Sequence, residues 1–375
     1  MTPIGAHRIF LRLSLAATHV FVWVFAYHYF ASTSSSIAAA FISVASVYII
    51  AQITSALFTP IAARRLRGGA RKLMVAATLS LAGATGVIAL MLTGSIRPEW
   101  AFGLFAVLFG LYRALYFVPY RFMAQGSGVT NIIVEACIAL SPALVGYLIA
   151  TGNSAAAILA SGAVLALVSV LPLMRLAESH EGFSWSYTET FHNVFASFNR
   201  STAQREFLSG AEGAALLFIW PLIVFVMLDG SYAAFGAVIS LTLLASIVFG
   251  LLWRSYVRRF DTPLVHAVFS ATAWMLRGTV VGPIGVVVVD TYAATARPHS
   301  RGIDLLALEQ SADSQSYIDE VSALKEIAQA LGRIAIVVIF SLLVVILPLP
   351  YAILSVFTLA ALAVAQSHYI AARRE

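Results

Sequence analysis

In this 375-residue chain, Arg113, Glu135, Glu212, Asp290, Arg333 and His19 place ionisable chemistry inside long apolar runs. A charged group at the centre of a bilayer-spanning helix costs roughly 2.5–3.5 kcal/mol on insertion scales, so each needs a partner or a water-filled cavity. Spacing suggests the partners. Counted from the near ends of their segments, Arg113 and Glu135 differ in depth by ~6 Å at about 1.5 Å per residue, and Asp290 and Arg333 stand at similar depths to each other. The expectation is two pseudo-equivalent ion pairs, Arg113 with Glu135 and Asp290 with Arg333, with the signs exchanged between them. A static clamp and a pair that breaks or takes up a proton are both open on these residues alone. Glu212 stands apart, between Gly210 and Gly213 and ahead of Pro221, where a helix can bend and expose backbone groups to a cavity. Glu135, Glu212 and Asp290 are therefore the proton-coupling candidates. His19, Gln52, Tyr112 and Asn131 are the polar groups that could line a path between apolar segments.

The elements that carry these residues follow from composition. Hydrophobic residues are 60% of the chain and charged ones 11%, too little polar surface to cover a soluble globule of this size. The chain reads as an all-α polytopic membrane protein. A crossing needs about 20 apolar residues, and segments fit near 9–30, 37–58, 73–93, 100–120, 131–151 and 155–174. A second set follows near 208–228, 232–253, 262–277, 279–296, 327–347 and 350–370. Residues 262–296 are barely long enough for two crossings, yet only twelve spans leave nearly all Lys and Arg on one side. That side holds the run Arg64, Arg65, Arg67, Gly68, Gly69, Arg71, Lys72, and the opposite side holds only Arg97 and Arg277. Cations are retained on the cytoplasmic side during insertion, so both termini are expected in the cytoplasm and the chain in the cytoplasmic (inner) membrane. The net charge of +6 then faces anionic headgroups and not nucleic acid. A removable signal peptide is not expected, because no cleavage-site pattern follows the first span. The single cysteine, Cys137, offers neither an intramolecular disulfide nor a metal cluster.

The longest break, at 175–207, divides the chain into a six-helix bundle over 1–174, an inter-bundle cytoplasmic loop, and a second bundle over 208–375. Each half repeats a basic loop after its second span, "RRLRGGARK" and then "RSYVRRFD", and a longer inner connection after its fourth. Parallel six-span repeats are one way to build a transporter with its site between the halves at mid-depth. Over its whole length the chain resembles the major facilitator superfamily. The resemblance lies in the twelve spans, the central loop, and the turn "ARRLRGGARK", which keeps the glycines and cations of that family's turn but lacks its aspartate. In the family that acid helps latch the cytoplasmic gate, so the resemblance makes Arg64 to Lys72 a gate loop with its acidic partner missing. "LSPALVG" in the fifth span partly matches the exporters' signature, with Ser141 and Val145 where glycines belong.

No P-loop, H-E-x-x-H or C-x-x-C occurs, so neither an ATP motor, a zinc hydrolase nor a dithiol centre is expected, and no cofactor or metal. The expected activity is secondary transport of a small hydrophobic or amphiphilic solute by a monomer. Proton coupling is expected, and export is favoured by the fifth-span fragment. The alternatives are a non-transporting sensor or assembly protein on the same fold, and a membrane-embedded lipid-modifying enzyme.

Overall fold

The computed structural model of the protein describes residues 2–123, 132–180, 182–257, 262–295 and 319–372. Six helices come first: α1 (Pro3–Thr33), α2 (Ile37–Arg64), α3 (Ala70–Leu92), α4 (Pro98–Met123), α5 (Ile132–Ala150) and α6 (Ala155–Met174). A short α7 (Tyr187–Phe195) follows, then α8 (Arg200–Ala214), which runs through a π-helical stretch, Ala215–Ile219, into α9 (Trp220–Met227). The rest are α10 (Tyr232–Val257), α11 (Pro263–Arg277), α12 (Gly282–Thr295), α13 (Asp319–Ile346) and α14 (Leu349–Ala372).

Ten of the described segments, with α8 to α9 counted as one, are long and apolar enough to cross a bilayer. Helices α11 and α12, at 15 and 14 residues, are shorter than the ~20 a full perpendicular crossing takes. They nevertheless make two elements of residues 262–296, as the charge count requires. The chain is an integral, multi-pass membrane protein with twelve spans in two six-helix bundles.

Local chemistry sets several helix starts. Thr2 Oγ1 accepts the Gly5 amide at 3.2 Å with Pro3 opening α1, and Ser36 Oγ accepts the Ala39 amide at 3.1 Å ahead of α2. Helix α7 begins with a reciprocal capping box between Ser186 and Glu189. The Ser186 amide and then its hydroxyl system hold the exposed Glu189 carboxyl below its ordinary range. Among the boundaries that differ from the sequence expectation, two move candidate residues. Helix α8 starts at Arg200, inside the stretch assigned to the central loop, and α13 starts at Asp319, well before 327. Arg333 thereby lies near the middle of its helix and not near one end.

In the first bundle α1 packs on α2, α5 and α6, α3 on α4 and α6, and α2 on α4. In the second, α8 packs on α13 and α14, α11 on α14, and α10 on α12. The bundles meet through α5 with α10, α2 with α13, and α1 with α9. The α5–α10 seam is a backbone contact: a Cβ on Gly146 would collide with the Tyr232 carbonyl, and one on Gly236 with the Pro142 carbonyl. Small residues permit that approach, and close packing is what joins helices in lipid. This seam lies at the end of the molecule opposite the cationic 64–72 turn. There too Phe41 of α2 meets Phe340 of α13 edge to face, with centroids 5.5 Å apart.

Candidate functional site

At mid-depth the interior is filled by rings. Trp23 of α1 lies edge-on to Tyr48 of α2 (ring centroids 5.3 Å), to Phe105 and Phe109 of α4 (5.3 and 5.9 Å), and to Phe218 of the π-helical stretch (5.2 Å). Tyr48 and Phe218 stack across the two bundles at 4.2 Å. Such pairs add about 0.5–1.5 kcal/mol each beyond the area they bury. Sequence reasoning assigns most aromatic residues to lipid or interface and misses this cluster. One signal was available: the Gly210, Gly213 and Pro221 pattern marks where α8 departs from regular geometry, and the π turn that results carries Phe218. His19 and Tyr112 both border the cluster, against Phe109 at 5.3 and 5.9 Å. Asn131 lies outside the described residues.

One turn along α2 from Tyr48, Gln52 is fully buried, and its Oε1 accepts from Arg333 Nη1 at 3.5 Å. Arg333 Nη2 donates to Gln329 Oε1 at 2.9 Å, and Gln329 Nε2 donates to Glu206 Oε2 at 2.8 Å. Glu206, 1% exposed, also takes Arg205 Nη2 at 2.9 Å. This polar run starts in the first bundle and continues through α13 to α8 in the second. Gln52 Nε2 is buried and donates to no acceptor among the described residues. Leaving such a donor unused costs about 1–3 kcal/mol, which makes Gln52 the polar group at this inter-bundle contact with hydrogen-bonding capacity to spare.

The acids are paired, but with partners other than those expected. Arg12 of α1 grips Glu135 as a fork, Nη1 to Oε1 and Nη2 to Oε2, both at 2.7 Å. An Arg113–Glu135 bridge is not among the ion pairs of the described residues, and the Arg113 guanidinium lies over the Phe117 ring at 5.0 Å. The reason is packing. Helix α4 lies against α2 and α3, whereas α5 lies against α1 and α10, so the cation that reaches Glu135 comes from the first span.

In the second bundle Asp290 of α12 receives Arg277 Nε and Nη2 at 2.9 and 2.7 Å and Trp220 Nε1 at 2.8 Å. The expected Asp290–Arg333 bridge is replaced because α12 packs on α10 and α11 while α13 packs on α2 and α8. Arg277, assigned by sequence to an outer turn, folds inward and is 4% exposed. Its guanidinium stands 4.3 Å from the Trp274 ring and 5.6 Å from the Trp220 ring, which repays part of its dehydration. Glu212 is half-buried and accepts from Trp274 Nε1 at 3.4 Å. A further buried imidazole, His7, escaped sequence reasoning: Nδ1 meets the Ser169 carbonyl at 2.8 Å and Nε2 the Tyr116 hydroxyl at 3.1 Å.

The cationic 64–72 turn finds its acid in the segment that follows α6. Glu178 Oε2 pairs with Arg71 Nε at 3.0 Å, and Oε1 accepts the Arg71 amide at 3.0 Å. The Ala70 amide donates to the Ser179 carbonyl at 2.9 Å, Arg71 Nη1 to the Leu176 carbonyl at 3.0 Å, and Arg67 Nη2 to the Phe183 carbonyl at 2.9 Å. Phe183 is buried among Ala63, Leu66, Leu73, Val118 and, from α13, Ala323. Ser184 then gives its amide and hydroxyl to Glu320 Oε1 of α13, at 3.0 and 2.7 Å. Residues 176–180 and 182–184 thus form the described parts of a strap tied to the first bundle at one end and to the second at the other.

Gly69 makes the strap possible, with φ +119° and the Glu178 carboxylate where a Cβ would stand. Gly69→Ala is expected to cost about 1–3 kcal/mol and to release the strap. Faster amide exchange at residues 176–184, with α3 and α4 unchanged, would check this; unchanged exchange in the strap would contradict it.

No family model matches the chain, and no curated protein matches it in sequence. Solved structures do match it in shape. A D-xylose–proton symporter superposes with a TM-score of 0.63 at 16% identity, over 96% of this chain and 95% of the other. The nucleoside transporter NupG does so with 0.56 at 14% identity, over 100% of both chains. The human organic anion transporter MFSD10 (TETRAN) gives 0.58 at 12% identity, over 98% and 97%. At these identities the likeness is one of fold.

Proposed function

We propose that this chain, which has the major facilitator fold, is a secondary transporter that moves a small hydrophobic or amphiphilic solute by alternating access. Residues 1–174 and the helices from Arg200 onward are the two halves that rock, and the segment between them joins them at the cytoplasmic face. The reading is carried by the polar run from Gln52 through Arg333 and Gln329 to Glu206, which is buried where the halves meet and leaves the Gln52 amide unused. The ring cluster beside it gives that site an apolar, aromatic wall, which suits an amphiphile better than a multiply charged solute. Glu206 joins Glu135, Glu212 and Asp290 as an acid through which a proton gradient could act. The excess of cations at one end supports cytoplasmic termini and residence in the cytoplasmic membrane, and export is favoured.

The test is solute flux and internal pH in proteoliposomes under an imposed proton gradient, across a panel of amphiphiles. Arg333→Gln is expected to lower flux by about tenfold or more, because a charge-assisted hydrogen bond is worth about 1.5–3 kcal/mol. Glu206→Gln should uncouple flux from proton movement. If a solute moves and both folded variants move it at the wild-type rate with the same pH change, the site is misplaced. If no member of a broad panel moves, the sensor or assembly reading takes its place.

A further inference from the structure

Beside the strap, Ile61, Arg64, Arg65, Arg67, Phe183 and Tyr187 enclose a pocket of about 310 Å³. Among the described residues three guanidinium groups line it and no carboxylate does. The Arg64 and Arg65 side chains are exposed and make no hydrogen bond or ion pair among the described residues. Arg67 spends one nitrogen on the Phe183 carbonyl, and the nearby acid, Glu178, is committed to Arg71. Three like charges on so small a hollow repel one another unless an anion sits between them. The partial negative charge at the end of α2 offsets only a fraction of that.

A second observation says what kind of anion. Ile50, Ile53, Leu57 and Ile61 are 45, 44, 46 and 37% exposed, and their helical spacing makes one apolar stripe down α2. The stripe ends in the pocket, because Ile61 is part of its wall. A ligand that fills both features has a phosphate at one end and hydrocarbon at the other.

We propose that the pocket binds the headgroup of an anionic phospholipid from the adjoining leaflet. The phosphate lies among Arg64, Arg65 and Arg67, whose planar forks match its oxygens, and the acyl chains lie along the α2 stripe. Phe183 and Tyr187 come from the segment joining the halves, whereas the arginines come from the first half, so a bound lipid ties the two together at the cationic end. That it thereby favours closure of this end rests on the transport reading; the binding itself does not.

The test uses the full-length chain in mild detergent. Phosphatidylglycerol, phosphatidylcholine with the same acyl chains, and inorganic phosphate are titrated separately and in competition, and bound lipid is counted by native mass spectrometry. Phosphatidylglycerol should be retained and phosphatidylcholine lost. Arg64→Gln with Arg65→Gln should weaken retention by about tenfold or more, and the double lysine replacement by less. Arg175→Gln, exposed and outside the pocket, should leave retention unchanged. Should the glutamine pair fail to fold, the lysine pair carries the comparison. Equal retention of both lipids, or retention indifferent to the pocket arginines, overturns the site. Displacement of the lipid by an equal concentration of inorganic phosphate overturns a lipid as its occupant.

Discussion

Glu135→Gln is expected to destabilise the detergent-solubilised protein by about 3–5 kcal/mol, far outside the ~0–1 kcal/mol of an exposed ion pair. The fork from Arg12 holds both oxygens at 2.7 Å with the two side chains 4% and 10% exposed, so the glutamine leaves a nearly buried guanidinium facing a neutral amide in place of its carboxylate. Arg12→Met combined with Glu135→Leu should recover most of the loss, since replacing both charges removes the stranded one. Thermal unfolding of the four proteins in one detergent measures the cycle. If the single variants unfold like the wild type, the pair is solvated in solution. If the double replacement is as damaging as the singles, the pair serves something other than its own charge balance. Flux measured on the same four separates a structural clamp from a moving part, because only a moving part makes the stable double variant inactive.

Gly236→Leu should hold open the end of the molecule opposite the cationic turn. The glycine sits against the Pro142 carbonyl and Gly146, so any side chain meets backbone, which cannot rotate away. Overpacking that costs the closed arrangement about 3 kcal/mol removes about a hundredfold of its population, and flux should fall in proportion. A cysteine in place of Phe41, whose ring is 1% exposed against Phe340, reports the gap once Cys137 has been replaced by alanine. A membrane-impermeant maleimide should label it in the Gly236→Leu protein and hardly at all in the parent. Equal labelling would mean that the α5–α10 seam does not control this end.

The span pattern was legible because helix length, hydropathy and cation placement are properties of single segments. Even residues 262–296 resolved into two elements on charge parity alone. Pairing was not legible in the same way. Depth along a helix comes from counting, but which neighbour a residue meets depends on the bundle's cross-section, and so Glu135 was matched to Arg113 of α4 although α5 packs on α1. Arg277 misled for a related reason. A basic residue next to a turn looks like a loop charge until Asp290, Trp220 and Trp274 are seen to surround it. Glu178 was hidden because the acid that completes the loop's charge balance lies about a hundred residues away, in a segment whose path no periodicity reveals.

Two of the seams that join the bundles are made of different materials. Near Gly146 and Gly236 the contact is backbone on backbone without a charged group, with one hydrogen bond from the Ala143 amide to Ser240 Oγ at 2.8 Å, and its strength depends on fit. At the strap it consists of guanidinium groups, carboxylates and carbonyls in partial contact with water, and its strength depends on the surrounding electrolyte. Salt is therefore expected to loosen the strap and to leave the uncharged α5–α10 seam untouched, whereas bilayer thickness and lateral pressure are expected to act mainly on the latter. Ionic strength at the cationic end and the thickness of the bilayer are thus expected to act on the joined bundles separately, each through its own seam.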